Sequence, residues 1–462
     1  MIDQPTLDVA GIGIGPFNLG LAALLSGHDN IRALFLERKT QFRWHEGLLL
    51  PGTTLQVPFL ADLVTMADPT HRLSYLNYLH QHDRLYPFYY YDTFLIPRRE
   101  YDHYCRWASQ KLPSCQFGEE VSDVTYDSRA DCFRIHSRSP AGLLRQYSAR
   151  DLVVGVGTAP QLPKWAEVDT PAPVLHAAHF AYYREQLARC QRVVVVGSGQ
   201  SAAECVLALL AELSPERVDT GASILWLTRS AGFHPMEFSK LGQECFTPAY
   251  MDYFHSLPRE RRRELVKGQA LLYKGISFST IADVFDQLYE RSIGGRDPGL
   301  KLFSSCDVEN LQVAADGTLC LHFRHRQLQR DGTLQADALI AATGYQHVWP
   351  AWFERLKGTL LEVDEHGDCL VETNFQARRR VPGKARVFVQ NAEIFQHGVG
   401  SPDLGLAAMR NISIINQLLG HEHYRRPQRS AFQHYGMPPQ QPADAALPDE
   451  NQLLTGCLEK HR

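Results

Sequence analysis

Two glycine-rich turns are the residues of this sequence whose type and spacing most directly indicate chemistry. The first carries Gly11, Gly13 and Gly15 after a short apolar stretch, and the second begins at Gly197 after four consecutive valines. Such a turn lets the backbone N–H groups at the start of a helix approach a pyrophosphate. The two turns therefore predict two dinucleotide cofactors, one held by each of two domains.

The apolar stretch that follows each turn ends in a charged residue. Glu37 lies about 25 residues after the first turn, where a carboxylate can bind a ribose. Arg229 occupies the equivalent place after the second turn, and its guanidinium suits a ribose 2′-phosphate, which favours NADPH over NADH. An ordinary surface arginine is the alternative interpretation of Arg229.

The order of elements predicts the fold class and the domains. Each turn joins an apolar strand to an apolar helix, and the apolar stretch 338–345 is typical of a strand that returns the chain to the first domain. We expect an α/β protein with two Rossmann-like dinucleotide-binding domains and a small, mainly helical substrate module. The predicted divisions are residues 1–165 for the first part of one domain, 166–344 for the inserted domain with the module at about 230–290, 345–425 for the returning part, and 426–462 for a polar, disordered tail.

Composition excludes several classes of protein. The net charge of −4 lacks the basic surplus of a nucleic-acid binder, and no apolar run of about 18 residues predicts a membrane span. The N-terminus lacks the pattern of a secretory signal. Ten cysteines without a C-x-x-C pair argue against a disulfide scaffold and a dithiol flavoenzyme, so we expect a cytoplasmic protein. No metal site is predicted.

Several short strings occur in the order and spacing of a known family. They are residues 11–19, 42–47, 56–63, 68–70, 197–202, 342–345 and 397–398. Over about residues 7–420 the chain resembles the flavin-dependent N-hydroxylating monooxygenases of siderophore biosynthesis, the lysine N6-hydroxylase and ornithine N5-hydroxylase family. The resemblance implies FAD in the first domain, NADPH in the inserted domain and a homo-oligomer, a tetramer by family analogy.

The resemblance also implies roles for individual residues. Those expected to bind FAD are Gly11, Gly13, Gly15, Pro16, Asn18, Glu37, Trp44, His45, Gln56, Val121, Pro402, Asp403 and Leu404. Those expected to bind NADPH are Gly197, Gly199, Gln200, Ser201 and Arg229. In the implied reaction the reduced flavin captures O₂ as a C4a-hydroperoxide that hydroxylates a neutral primary amine, and no side chain stands out as a catalytic base.

Three departures from the family pattern fall where the substrate carboxylate is recognised. The amino-acid hydroxylases carry lysine where this chain has Ala61 and serine where it has Gly405, and the segment with asparagine in ornithine enzymes here contains Gln243, Glu244 and Phe246. Burying a carboxylate without its cation costs several kcal/mol. We therefore predict a diamine, cadaverine or putrescine, with these five residues lining its site.

Alternatives remain at the level of sequence. If Lys240 or Lys274 supplies the missing cation, the chain is an L-lysine N6-hydroxylase. More distant alternatives are a Baeyer–Villiger or sulfur-oxidising flavin monooxygenase and a non-catalytic flavin-binding protein. For the distal ammonium of a diamine, Asp62, Glu244 and Gln243 are the candidate acceptors.

Overall fold

A computed structural model describes residues 5–438 of the chain. The strands are β1 Leu7–Ile12, β2 Ala33–Glu37, β3 Cys115–Phe117, β4 Glu120–Asp127, β5 Cys132–Arg138, β6 Leu144–Val154, β7 Thr158–Pro160, β8 Val174–His176, β9 Arg192–Val196, β10 Ser223–Leu227, β11 Leu300–Phe303, β12 Cys306–Val313, β13 Leu319–His325, β14 Arg330–Ala336, β15 Ala338–Ala341, β16 Tyr345–His347 and β17 Val387–Val389. The α-helices are α1 Pro16–Leu25, α2 Tyr75–Gln81, α3 Leu85–Tyr91, α4 Arg98–Gln110, α5 Phe180–Arg189, α6 Gln200–Glu212, α7 Pro215–Asp219, α8 Pro248–Ser256, α9 Arg259–Gly268, α10 Phe278–Arg291, α11 Ala351–Thr359, α12 Ile394–His397 and α13 Ala407–Leu419.

The first domain is built on a seven-stranded sheet. Its order is β3-β2-β1-β6-β5-β4, and β17 also pairs with β6. The pairs of β1, β2, β3, β6 and β17 are parallel, whereas β4, β5 and β6 form an antiparallel wing. Because β17 comes from residues 387–389, the returning segment completes a sheet that begins at residue 7.

The second domain is built on a parallel sheet of order β11-β10-β9-β15-β8. Side chains alternate along β9, so Val193 and Val195 pack on one face while Val194 and Val196 pack on the other. Helices α5 and α6 cover the first face, and the antiparallel sheet β12-β13-β14 covers the second. Burial on both faces explains the run of four valines. The chain thus has the two-domain α/β architecture that the element order predicts.

The two connections between the domains lie side by side. Strand β7 on the outgoing connection pairs antiparallel with β16 on the return, and the Gln161 N–H donates to the Gly344 carbonyl at 2.9 Å. Both crossings therefore share one short ribbon.

The helical segment after β10 contributes to both domains. Helix α10 packs against α6 through Val284 and Ile281, in the core of the second domain. Helices α8 and α9 instead pack against α12, which belongs to the returning part of the first domain. The sequence predicts one module, whereas the structure divides it because the apolar faces of these helices match different cores.

The C-terminal segment departs from its prediction as a disordered tail. Residues 426–438 have defined contacts with the segment around α8, and residues 439–462 lie outside the described residues. Within residues 5–438, no helix combines the length and the apolar character needed to cross a membrane.

Candidate functional site

The first glycine turn joins β1 to the N-terminus of α1. Gly13 has φ +86°, and a Cβ there would lie 2.4 Å from the Gly155 carbonyl oxygen, so this position requires glycine. Gly15 precedes α1 with φ −82°, and no atom lies within 4 Å of its Cβ position. Gly11 packs against the Phe35 ring, and Pro16 is the first helical residue. The turn thus leaves open space beside the N–H groups that begin α1.

Two polar residues support this turn. The Asn18 amide donates to the Gly13 carbonyl at 2.8 Å and accepts from the Gln390 amide at 2.9 Å, so Asn18 braces the turn from the protein side. Glu37 ends β2, and its carboxylate accepts from the Ile14 N–H at 2.9 Å. The Glu37 carbonyl accepts from the Glu119 N–H at 2.8 Å, which places the start of β4, with Val121, at the same edge.

Trp44 and His45 lie between the first domain and the return of the chain. Their rings are 4.7 Å apart, and the His45 ring is 5.7 Å from that of Tyr345. Burial, assisted by the positive charge of Arg98, lowers the pKa of His45 to about 4, so its imidazole is neutral. The Gln56 amide nitrogen lies 3.9 Å from the Met236 sulfur.

The second glycine turn repeats the geometry of the first. Gly197 has φ +134°, and a Cβ there would lie 2.2 Å from the Ala342 carbonyl oxygen. Gly199 precedes α6, has open space at its Cβ position, and is followed by Ser201 in the first helical turn. Arg229, after β10, is exposed and makes no ion pair with a described residue.

The Gln200 side chain forms hydrogen bonds within the protein. Its amide nitrogen donates to Glu204 at 3.0 Å and to Thr280 at 2.9 Å, and its oxygen accepts from the Ser277 N–H at 2.8 Å. With its hydrogen-bonding groups used inside the protein, the side chain ties α6 to the start of α10. Only its backbone, at the start of α6, remains available for the predicted NADPH contact.

A buried ion pair that the sequence analysis missed joins the two domains. Arg98, at the start of α4, binds Glu204 of α6 through two hydrogen bonds of 2.7 and 2.8 Å. The Glu204 side chain is 3% exposed and that of Arg98 is 11% exposed. A glutamate inside the apolar sequence of α6 was the available signal, because such a charge needs a partner.

The residues predicted to bind substrate come from separate segments that meet near the 3₁₀ helix Leu404–Leu406. A Cβ on Gly405 would lie 3.9 Å from the Ala61 Cβ and 2.8 Å from an Asp403 carboxylate oxygen. A Cβ on Gly400 would lie 3.6 Å from the Phe246 Cα. Ala61 thus lies beside Gly405, and Phe246 lies beside Gly400 of the same loop.

The three residues predicted as acceptors for a distal ammonium already form hydrogen bonds within the protein. Asp62 accepts four hydrogen bonds from Val64, Thr65 and Tyr75, at 2.6–2.9 Å. Glu244 accepts two backbone N–H groups from the C-terminal segment, and the Gln243 amide donates to the Glu237 carbonyl. Neither of the two carboxylates is a free acceptor, and Gln243 is engaged through its amide N–H. The alternative cations Lys240 and Lys274 are both exposed.

Asp403 is the carboxylate that stays available beside Ala61 and Gly405. It accepts the Gly405 N–H at 2.7 Å and forms no ion pair with a described residue. Burial raises its pKa to about 6. Its neighbours Pro402 and Leu404 lie on the same loop, which the resemblance predicts to contact FAD.

A fully buried ion pair holds this loop. Arg410 lies 2.9 Å from Glu393, and both side chains are 0% exposed. Arg410 also donates to the Ser401 carbonyl and lies over the Phe17 ring at 4.9 Å. The pair therefore connects α1, α12 and α13 and fixes the chain that precedes Asp403.

The residues at the two turns fit the two expected cofactors. Each turn leaves open space at a glycine that begins a helix, and each is followed by a charged residue of the predicted sign. In the described part of the chain, no group of three or more His, Cys, Asp or Glu side chains could hold a metal ion.

Comparison with known proteins identifies the family of the chain. The model of the L-lysine 6-monooxygenase/L-ornithine 5-monooxygenase family matches residues 5–347. The rhizobactin siderophore biosynthesis protein RhbE of Rhizobium meliloti is 61% identical, covering 95% of this chain and 97% of the relative. A putrescine N-hydroxylase of Shewanella oneidensis is 38% identical over 94% of this chain and 84% of its own. The FAD-bound crystal structure of DfoA, a cadaverine monooxygenase of Erwinia amylovora, matches with a TM-score of 0.89 and 35% identity, over 95% of this chain and 100% of that one.

The two glycines of the first turn give a paired prediction. Gly13→Ala places a methyl group against the Gly155 carbonyl, so we expect a lower thermal midpoint even without FAD. Gly15→Ala meets no protein atom and should leave the stability of the FAD-free protein unchanged while weakening FAD binding. Thermal unfolding of FAD-free protein and FAD titration measure the two effects, and equal behaviour of the two variants would contradict the assignment.

The interdomain ion pair gives a second prediction. Glu204→Gln leaves the Arg98 guanidinium buried without its counter-charge, which costs about 3–5 kcal/mol. We expect a lower thermal midpoint and slower flavin reduction at saturating NADPH. Glu212→Gln, on the same helix but in the partly exposed pair with Arg184, is the matched control and should cost about 0–1 kcal/mol. Equal midpoints and reduction rates in the two variants would refute the role.

Proposed function

The chain belongs to the L-lysine 6-monooxygenase/L-ornithine 5-monooxygenase family, and we propose that it hydroxylates one primary amine of a small diamine, putrescine or cadaverine. The enzyme is an FAD- and NADPH-dependent N-monooxygenase that uses O₂. We assign its product to an early step of hydroxamate siderophore biosynthesis. We further propose a cytoplasmic location, and the homo-oligomeric state stays a prediction.

One observation carries the choice of a diamine. Ala61 and Gly405 offer no cation to a substrate carboxylate, and the charged group beside them is the Asp403 carboxylate. An anion at this place repels the carboxylate of lysine or ornithine and attracts a second ammonium group. The charge at this end of the site is thus opposite to the charge that an amino acid requires.

The relatives support the same substrate class. Two of them are a putrescine N-hydroxylase and a cadaverine monooxygenase, and the most similar of the three acts in siderophore biosynthesis. Putrescine and cadaverine differ by one methylene, which a pocket distinguishes by about 1–3 kcal/mol. We therefore propose small diamines as the substrate class, and the kcat/KM values for putrescine and cadaverine decide between the two.

In the proposed mechanism the protein positions the amine and controls its protonation. When bound, FAD reduced by NADPH supplies the activated oxygen that reaches the substrate nitrogen. Asp403 binds the distal ammonium and so fixes which amine points toward the flavin. The reacting amine must be neutral, although alkyl ammonium groups have pKa values near about 10.4. Exclusion of water from the site disfavours its charged form.

The fixed contact between the domains serves the same reaction. The Arg98–Glu204 pair holds the second domain against the first. The Gln200 hydrogen bonds tie α6 to α10 within the second domain. A fixed arrangement keeps the nicotinamide within reach of the flavin and limits the entry of water. The chain's contribution is thus positioning and exclusion of water, and we assign no catalytic base.

A product assay with four amines tests the proposal. Hydroxylamine formation is measured with putrescine, cadaverine, L-lysine and L-ornithine at equal NADPH, and we expect the diamines to have the higher kcat/KM. Ala61→Lys should lower diamine turnover at least tenfold, because the added ammonium repels the substrate and pairs with Asp403. L-lysine as the best substrate of the unmodified enzyme would identify an L-lysine N6-hydroxylase instead. Oxidation of a ketone or sulfide without amine turnover would favour the more distant alternatives.

The Asp403 carboxylate predicts a pH dependence. Its pKa of about 6 means that the carboxylate is charged above that pH and becomes neutral as the pH falls below it. The KM for the diamine should therefore rise as the pH falls through about 6. Asp403→Asn keeps the hydrogen bond from Gly405 but removes the charge. The KM of this variant should be about tenfold higher at pH 7.5 and should not rise further as the pH falls through about 6. An unchanged KM and pH profile in Asp403→Asn would contradict the role.

A further inference from the structure

The C-terminal segment of residues 426–435, named here the C-terminal strap, lies on the segment that carries Glu244 and Phe246. We propose that the strap positions the 3₁₀ helix Gly242–Phe246 for substrate binding, with Glu244 as a positioning residue that does not touch the substrate. Its consequence for amine binding rests on the proposed function. The physical contact between the strap and the helix does not.

The Glu244 carboxylate is the centre of the contact. One oxygen accepts the Phe432 N–H and the other accepts the Gln433 N–H, both at 2.8 Å. These two hydrogen bonds keep the pKa of Glu244 below its ordinary value, so the carboxylate remains charged at neutral pH. The Tyr435 hydroxyl adds a hydrogen bond of 3.0 Å to the Glu244 carbonyl. The strap thus binds both the side chain and the backbone of one residue.

Further contacts hold the strap along α8. The Tyr435 ring stacks on Tyr253 at 5.7 Å and meets the Tyr250 ring edge-on at 5.0 Å. The Ala249 N–H donates to the Ser430 hydroxyl at 3.0 Å, and Arg426 pairs with Asp252 at 2.8 Å. These contacts occur at successive positions of α8, so together with the bonds to Glu244 they define one docked position.

The 3₁₀ helix Gly242–Phe246 lies beside the loop that carries the proposed substrate site. Phe246 ends this helix, and a Cβ on Gly400 would lie 3.6 Å from the Phe246 Cα and 2.5 Å from the Leu406 side chain. Leu406 follows Gly405, which contacts both Ala61 and Asp403. A displacement of residues 242–246 therefore reaches the wall of the proposed amine pocket through Gly400 and Leu406.

A short 3₁₀ helix needs such external support. Runs of this length have weak hydrogen-bond geometry and little stability of their own. Residues 242–246 have no side-chain cap at the N-terminus, and Glu244 is the buried residue among them. The Glu244 bonds to the strap add to the packing of Phe246 against the cluster that contains Tyr250.

A backbone substitution with a matched control tests the inference. Phe432→Pro removes the N–H that Glu244 accepts, whereas Phe432→Ala keeps it and removes a side chain that is 94% exposed. We expect Phe432→Pro to speed amide hydrogen exchange at residues 242–250 and to raise the diamine KM at least threefold, with the NADPH KM changed by less than twofold. Phe432→Ala should match the unmodified enzyme in all three measurements.

A second variant makes the test independent of the proline. Glu244→Gln should reproduce the exchange and KM effects, because an amide cannot accept both N–H groups, and the double variant should add little. If neither Phe432→Pro nor Glu244→Gln changes exchange at residues 242–250, or if exchange changes while KM does not, the inference is wrong. An enzyme with no diamine turnover but with the exchange effect intact would overturn the proposed function and leave the strap's contact established.

Discussion

The arrangement of the two domains depends on the buried ion pair between Arg98 and Glu204. Two cofactors held by separate domains can react with each other only if the orientation of the domains is defined. The paired linkers β7 and β16 form a two-stranded ribbon, which is too weak to define that orientation alone. The Arg98–Glu204 pair adds a directional contact with two hydrogen bonds, and Gln200 extends it to α10. Because an unpaired charge at this depth is costly, the domains are held in the orientation that satisfies both charges.

The chemistry of the substrate site follows from which carboxylates are already satisfied. Asp62 and Glu244 are carboxylates like Asp403, but their oxygens accept four and two hydrogen bonds from the protein. A ligand ammonium gains little from an acceptor whose protein bonds it must first replace. Asp403 has one such bond and a neighbourhood of small residues, so it offers both a charge and space. Specificity for a diamine therefore depends on an anion left free as much as on a lysine that is missing.

The sequence predicts the local parts of this structure well. The glycine turns, the charged residues after them and the two-domain α/β fold follow from short patterns, because each depends on neighbours within one strand–turn–helix unit. The partners of the Gln200 side chain, Ser277 and Thr280, could not be predicted in this way, since they are far along the chain. The partners of Glu204 and Glu244 were missed for the same reason, and the polar composition of residues 426–438 gave no sign that their backbone would be bound.

The proposed amine pocket is assembled from three segments that are distant in sequence, and the strap supports one of them. Ala61 belongs to the first domain, Phe246 to the helical segment, and Asp403 and Gly405 to the returning part of the chain. The strap holds the segment of Phe246 through Glu244. The Arg410–Glu393 pair holds the segment of Asp403, whereas residues far along the chain hold that of Phe246 through Glu244. A family motif can therefore place a residue near the pocket, but whether its side chain faces the substrate or supports the wall depends on partners elsewhere in the chain. Glu244 and Asp403 are both acids beside the pocket, and their different partners give them different roles.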